Sequence, residues 1–251
     1  MDWNALNRQS YDKIAKQFSF SRNYVWPDVL VFQKFINDGD KLLDLGCGNG
    51  RLIGLMKDME VDYLGVDFSE ELVACAKNNF PGKKFLAMDA LNLNLPGKSF
   101  DVVLCVSVFN HLPKDKHVQF VANIKKVLKP GGYLLMSNWN LWNVRGKKSI
   151  WRVDPSTLRC DSGRAWLRVT DRVTMTQRSI IGDWKNIVTK WKSGETEAEL
   201  YYYAFTKNEI KRLLAKNGFE IEKNYYSKRG KRSWWLFGEN IVTIAKLNKA
   251  C

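Results

Sequence analysis

In Asp44-Leu45-Gly46-Cys47-Gly48-Asn49-Gly50 glycine stands at every second position from 46 to 50, directly after the apolar run LLDL and ahead of a helical pattern. With no Cβ, such a loop turns tightly and lets a ligand approach its backbone, but it needs a strand before it and a helix after it. The chain beyond the loop repeats that demand. LLDL (42–45), YLGV (63–66), FLAM (85–88), DVVLCV (101–106) and YLLMSN (133–138) read as strands, with helical patterns beginning near Arg51, Ser69 and Asp115. This alternation marks an α/β fold, a mostly parallel sheet with helices on both faces. Ser69, followed by Glu70 and Glu71, suits a helix start. Pro130-Gly131-Gly132 ends the helix that holds Val121, Ile124, Val127 and Leu128, then leads into the fifth strand.

The 251 residues fit one domain with four parts. Residues 1–39 form an N-terminal helical cover, with helical spacing over 11–18 and 28–36 and Pro27 at a helix start. Residues 40–138 are the ligand-binding core, and 139–200 are an insertion without clean periodicity. Residues 201–251 close the domain: Thr206 caps a helix that Asn217-Gly218 ends, and FEIEKNYYS with WWLFGENIVTIAKL reads as an antiparallel hairpin. The hairpin brings the sheet to seven strands.

No apolar run approaches the roughly 18 residues of a membrane span, and MDWNALNRQSYDK lacks the apolar core of a signal peptide. A cytoplasmic protein with no membrane contact is expected. Cys47, Cys75, Cys105, Cys160 and Cys251 show no CxxC or Cys/His cluster, so reduced thiols and no metal are expected. Charge is uneven. Residues 1–140 carry 17 Lys/Arg against 15 Asp/Glu, whereas 141–251 carry 23 against 11. A basic half suits a polyanionic partner, and a solvated basic surface is the alternative.

The loop spacing separates two uses of a glycine-rich turn. A dinucleotide fingerprint wants glycine or alanine at the position held by Arg51. G-x-G-x-G with an acid two residues earlier instead resembles motif I of class I methyltransferases, which implies S-adenosyl-L-methionine as cofactor and a Rossmann-like fold. On that resemblance Asp44 orients the loop and approaches the amino-acid part of the cofactor, and Gly46, Cys47, Gly48 and Gly50 contact it. Asp67, at the end of YLGVD and followed by Phe68, suits the ribose hydroxyls, since a carboxylate there accepts both. Asp89 and Ala90, after FLAM, resemble the adenine-facing pair. Ser107 opens SVFNHLP, which matches the segment passing under the methyl donor. Its His111 is a candidate for facing cofactor or substrate, and structural hydrogen bonding is the other common use of such a histidine.

A narrower resemblance lies in YDKIA (11–15), Phe18-Ser19, Ser21-Arg22, Trp26-Pro27, Gly182-Asp183-Trp184-Lys185 and YYYAFTKNEI (201–210). Together with LDLGCGNG these segments resemble the tRNA wobble-uridine carboxymethyl methyltransferases and their bacterial relatives. The resemblance implies that Tyr11 and Arg22 close over the cofactor, with the planar fork of Arg22 gripping a carboxylate. Arg22 and His111 are then the candidates for direct roles in transfer. It also implies tRNA as partner, with a small activating subunit possible, in a monomer or heterodimer. Leu200, Tyr203 and Asn110 depart from that family's usual Arg, His and His.

A carboxylate acceptor is ionised at neutral pH and needs no base, so alignment alone can supply roughly 7–11 kcal/mol. Residues 139–200 hold six of the ten tryptophans, and 141–194 hold 12 Lys/Arg against four acids, a mixture suited to cradling an anticodon loop. The expectation is a tRNA methyltransferase. A small-molecule methyltransferase and a noncatalytic RNA-binding protein that keeps the fold are the rivals.

Overall fold

The computed structural model describes residues 2–143, 166–167, 174–180, 185–193 and 196–249, with only the backbone of 166–167, 174–180 and 193. The large sheet is built from β1 (Lys41–Leu45), β2 (Asp62–Asp67), β3 (Lys84–Ala87), β4 (Phe100–Val106), β5 (Leu128–Trp139), β10 (Phe219–Lys228), β11 (Lys231–Ser233) and β12 (Asn240–Leu247). Its order is β11-β10-β12-β5-β4-β1-β2-β3. β3, β2, β1, β4 and β5 run parallel, and β12 enters antiparallel between β5 and β10. The sheet therefore has eight strands where seven are expected, the extra one being three-residue β11 beyond the closing hairpin.

Two apolar layers sandwich this sheet because its central strands are apolar at successive positions. Leu43 and Val103 pack with Phe120, Ile124, Ile210 and Leu214 of α3 (His117–Val127) and α4 (Lys207–Lys216) on one face. Leu42 and Leu104 pack with Phe32, Leu55, Val73 and Ala76 on the other, the last two from α2 (Glu70–Asn79). Burial on both faces is the physical reason for continuous apolar runs in place of alternation.

Several local expectations shift. Pro27–Phe35 and Arg51–Met56 are 3-10 helices, so the glycine loop leads into a short turn of helix. α1 runs from Trp3 to Ser21, longer than its periodic portion, with the Asp2 carboxylate accepting from the Asn4 and Ala5 amides. α3 ends at Val127, and Pro130-Gly131-Gly132 form an irregularity inside β5, with Gly131 at φ 84°. Trp234–Phe237 form a turn, and only Asn240–Leu247 of that segment is strand.

Residues with no clean periodicity form a second sheet, β6 (Trp166–Leu167), β7 (Thr174–Ile180), β8 (Asn186–Ser193) and β9 (Thr196–Tyr203), all antiparallel. From Leu200 to Tyr203, β9 buries both faces. Leu200 and Tyr202 pack with Ile14 of α1, Ile187 and Trp191, whereas Tyr201 and Tyr203 join the layer around Phe109 and Phe205. The second sheet is thereby welded to the first at the carboxyl ends of the parallel strands.

Candidate cofactor and acceptor pocket

Strand order reverses at β1 and β4, and the crevice beyond the carboxyl ends of such strands is where open α/β sheets bind ligands. Here it holds a cleft of about 1050 Å³, counting its open mouth, concave and lined mostly by apolar and aromatic side chains with a few polar groups, as small-molecule sites are. Gly46, Cys47 and Gly48 floor it. All three loop glycines have left-handed φ, at 77°, 55° and 81° for Gly46, Gly48 and Gly50. A Cβ on Gly46 would lie 2.0 Å from a Val108 methyl, so glycine is obligatory there.

The Asp67 carboxylate ties the loop to β2, accepting the Gly48 amide at 2.8 Å and the Ser69 amide at 3.0 Å. Burial raises its pKa to about 6, and those two backbone donors hold it from rising further. Asp89 accepts the Leu91 amide at 2.8 Å and the Asn4 side chain of α1 at 2.7 Å. Asp67, Phe68, Asp89, Ala90 and Ser107 all line the cleft. Ser107 sits at φ 61°, and its buried hydroxyl has no partner.

α1 roofs the cleft. Asn7 binds it to β9, donating to the Tyr201 carbonyl at 3.2 Å and the His111 carbonyl at 3.1 Å while accepting the Tyr201 amide at 2.8 Å. Tyr11 reaches His111 Nε2 at 2.9 Å, and His111 Nδ1 lies 2.9 Å from the Tyr201 carbonyl. A carbonyl only accepts, so Nδ1 carries the proton and Nε2 accepts from Tyr11. Burial lowers the His111 pKa to about 4 and pushes the Tyr11 phenol well above its usual range. Both are neutral near pH 7.

Asn49 holds the end of α1 over the loop by donating to the carbonyls of Ser19 at 3.2 Å and Arg22 at 2.9 Å. Arg22 enters the cleft beside Arg51, whose guanidinium lies 4.2 Å over the Trp26 ring and leaves Nη1 buried without a partner. Burial, then the Arg22 charge, lowers the Arg51 pKa to about 10. Among the described residues neither arginine forms an ion pair. This corner of the cleft is cationic and complements an anion.

Eleven of the thirteen sequence-predicted site residues line this one cleft, and two do not. Asp44 is fully buried beneath the loop, accepting from the Tyr63 hydroxyl at 2.8 Å, with its second oxygen unpartnered. Burial raises its pKa to about 7. Gly50 is also set back, since the space at its α-carbon is filled by Phe80 and Phe85. Both lie behind the cleft lining. Sequence reasoning passed over Arg51, Asn4, Trp191, Leu200 and Tyr202, which also line the cleft. The only signal for Arg51 was its misfit to a dinucleotide loop.

The expected RNA cradle over 139–194 lies largely outside the described residues, including Trp151, Trp184 and the Trp166 side chain. Those of its tryptophans whose side chains are described are packed. Trp191 is 4% exposed, Trp142 donates to the Phe205 carbonyl at 3.1 Å, and Trp139 stacks on Tyr202. Among the described residues no group of His, Cys, Asp and Glu could hold a metal ion, and no helix is long and apolar enough to cross a membrane.

A parallel sheet extended by an inserted antiparallel strand, with a G-x-G-x-G loop at the end of its first strand, defines the Rossmann-like methyltransferase fold, and residues 43–136 match the protein-family profile described as a methyltransferase domain. Within that class, the chain is similar to the tRNA (carboxymethyluridine(34)-5-O)-methyltransferases. It is 33% identical to the Saccharomyces cerevisiae enzyme over 132 residues, 52% of this chain and 47% of that protein, so the match spans about half the length of that relative. It is 27% identical to the Schizosaccharomyces pombe enzyme over 242 residues, 94% of this chain and 96% of that one. Among solved structures, an S-adenosylmethionine-dependent methyltransferase from Clostridium acetobutylicum shares the fold at TM-score 0.65 and 19% identity, covering 95% of this chain and 99% of its own. A methyltransferase from Haloferax volcanii in complex with the Trm112 activator does so at 0.63 and 14%, covering 98% and 99%.

Proposed function

We propose that this chain is an S-adenosyl-L-methionine-dependent methyltransferase that acts on tRNA, esterifying a carboxymethyl-modified wobble uridine or a related modification. The cleft carries this reading: a loop of three left-handed glycines, two carboxylates at successive strand ends, and an unpaired arginine corner converge on one crevice. These groups fit the cofactor. Asp67 and Asp89 keep lone pairs for a ribose and a base amine, Ser107 offers an unpartnered hydroxyl, and the loop admits close backbone approach. When bound, the cofactor supplies an electrophilic methyl group on a sulfonium. The chain then has to orient the acceptor and exclude water.

Arg22 and Arg51 suit a carboxylate of donor or acceptor, and a planar guanidinium aligns such a group in two parallel bonds. His111 offers its one free lone pair to Tyr11, so it positions that phenol under the roof and takes no proton. A carboxylate acceptor asks for none. The enclosure of the cleft by α1, with Asn4 on Asp89, favours the second reading, a small-molecule acceptor. An activating subunit belongs to the first: β3 ends the large sheet with Leu86 43% exposed, the kind of edge a partner strand extends.

Incubating the protein with labelled cofactor and bulk tRNA, with and without prior nuclease, then analysing nucleosides by mass spectrometry, tests the proposal. A labelled carboxymethyl ester of uridine that disappears after nuclease is expected. Label confined to small molecules would replace the first reading by the second.

A further inference from the structure

We infer that the turn joining β10 to β11, together with the aromatic turn ahead of β12, is a docking platform for an RNA strand whose reacting nucleotide enters the cleft. The inference rests on the tRNA reading above and moves the docking surface away from residues 139–194.

Lys228, Arg229, Lys231 and Arg232 flank Gly230 and are all exposed. Among the described residues none of the four forms an ion pair. Arg229 at φ 50° and Gly230 at φ 80° form a two-residue turn with both φ positive, a geometry that prefers Asn, Asp or Gly at its first position. A cation stands at the tip regardless. Beside it, Trp234 is 73%, Trp235 50% and Phe237 53% exposed. Single exposed apolar side chains are ordinary, whereas three large aromatic rings within four residues mark a contact surface.

The platform is preformed. Phe237 and Gly238 donate their amides to the Trp234 carbonyl at 3.1 and 2.8 Å, and Glu239 donates to the Ser227 carbonyl at 2.7 Å. From the core side, the Asn140 amide donates to the carbonyls of Trp235 at 2.6 Å and Gly238 at 2.8 Å. Buried Asp28 accepts the Gly230 amide at 2.7 Å and the Ser227 hydroxyl. A surface fixed in this way loses little conformational entropy when a partner binds.

Those anchors also locate it. Asn140 follows Trp139, and Asp28 lies two residues after Trp26. Trp139 and Trp26 both line the cleft. The platform is therefore bolted to the rim of the crevice at two points. Cations on one turn and open ring faces on the next match a strand that presents phosphates and unpaired bases together. This charge complementarity, placed beside a nucleoside-sized cleft, favours RNA over an anionic lipid surface.

Two full-length variants test the platform, Lys228→Ser/Lys231→Ser/Arg232→Ser and Trp234→Ala/Trp235→Ala. Binding of fluorescent tRNA is measured by anisotropy between about 50 and 200 mM salt. Calorimetry with S-adenosylhomocysteine and a melting curve check that each variant keeps its pocket and fold. The charge variant is expected to bind tRNA about tenfold more weakly and to flatten the log affinity against log salt slope by about 2, roughly 0.7 for each phosphate that is no longer neutralised. The aromatic variant is expected to lose about tenfold or more with the slope unchanged. If wild type binds and methylates tRNA and both variants bind it within twofold of wild type, the platform is overturned and the tRNA reading stands. If wild type neither binds nor methylates tRNA, that reading fails and takes the platform with it. Wild-type binding to phosphatidylserine vesicles that the aromatic variant loses, with tRNA binding intact, makes the turn a membrane contact and also overturns the platform.

Discussion

The cleft has two walls of different physical origin. The loop after β1 and the ends of β2, β3 and β4 form one, and α1 with β8 and β9 forms the other. The first wall is dictated by backbone geometry, since three left-handed glycines and a Cβ clash leave almost no choice of residue. The second is held by side chains, with Asn7, Tyr11 and His111 joining a helix to a distant strand. On the proposed function, the contrast makes the cofactor end strict and leaves the acceptor end free to change. Leu200 and Tyr202 of β9 and Trp191 of β8 supply the second wall's side chains from the antiparallel sheet.

The largest expected effect tests the first wall. Gly46→Ala must accept φ 77° and a 2.0 Å approach to the Val108 methyl. Strain at such a φ costs about 1–3 kcal/mol and overpacking about as much again. A fall in melting temperature of about 10 °C is expected, at ~2–4 °C per kcal/mol for a chain of this size. S-adenosylhomocysteine binding should vanish in calorimetry. Affinity retained at the wild-type level would mean that the loop is not where the cofactor sits.

The second wall should respond differently. Asn7→Ala leaves the buried Tyr201 amide without its acceptor, a loss of about 1–3 kcal/mol. Melting should drop accordingly while affinity for S-adenosylhomocysteine changes less than about threefold, and the KM for the methyl acceptor should rise more than kcat falls. An equal collapse of cofactor affinity would show that the walls are not separable.

The same contrast explains what could be read from the chain alone. The loop, the five parallel strands and the acids after β2 and β3 were legible because each obeys a local rule of spacing. Asp44 was legible as a loop residue, but its depth was not, because spacing does not say whether a carboxylate faces a ligand or lies beneath the turn. β9 alternates over Thr196–Leu200 and then buries Leu200 to Tyr203 in succession in two different layers, and β8 alternates only from Thr189 to Lys192, so a period of two covers just half of each strand. Arg51 joins the cleft only through the 3-10 turn and its stacking on Trp26, contacts across 25 residues that no local pattern encodes. Trp139, Trp142 and Trp191 looked like an open surface by composition, yet they pack in the cluster around Ile14, Ile187 and Leu200, where Trp139 and Trp191 line the cleft.

The smallest expected effect is a slope, and it sets the two walls against each other. Asp44, at about 7, and Asp67, at about 6, are raised by burial, so they destabilise the folded chain as pH rises from the ordinary carboxylate range toward those values. His111 and His117, both at about 4, are lowered by burial, so they destabilise it as pH falls from the ordinary histidine value toward 4. Between roughly pH 4.5 and 6 the unfolded chain holds protons on both histidines and the folded chain holds them on both acids. The counts nearly match, and the stability of wild type should be almost flat there. Asp44→Asn removes one proton from the folded side only. Its stability should then fall by about 1.4 kcal/mol per pH unit on acidification across that window. The asparagine oxygen still accepts from Tyr63, and any cost of its buried amide is independent of pH, so the slope isolates the carboxyl group. Urea melts at about pH 5 and 6 would measure it. Parallel profiles for variant and wild type would mean that Asp44 is ionised under the loop, and that the cofactor wall is wetter than its packing indicates.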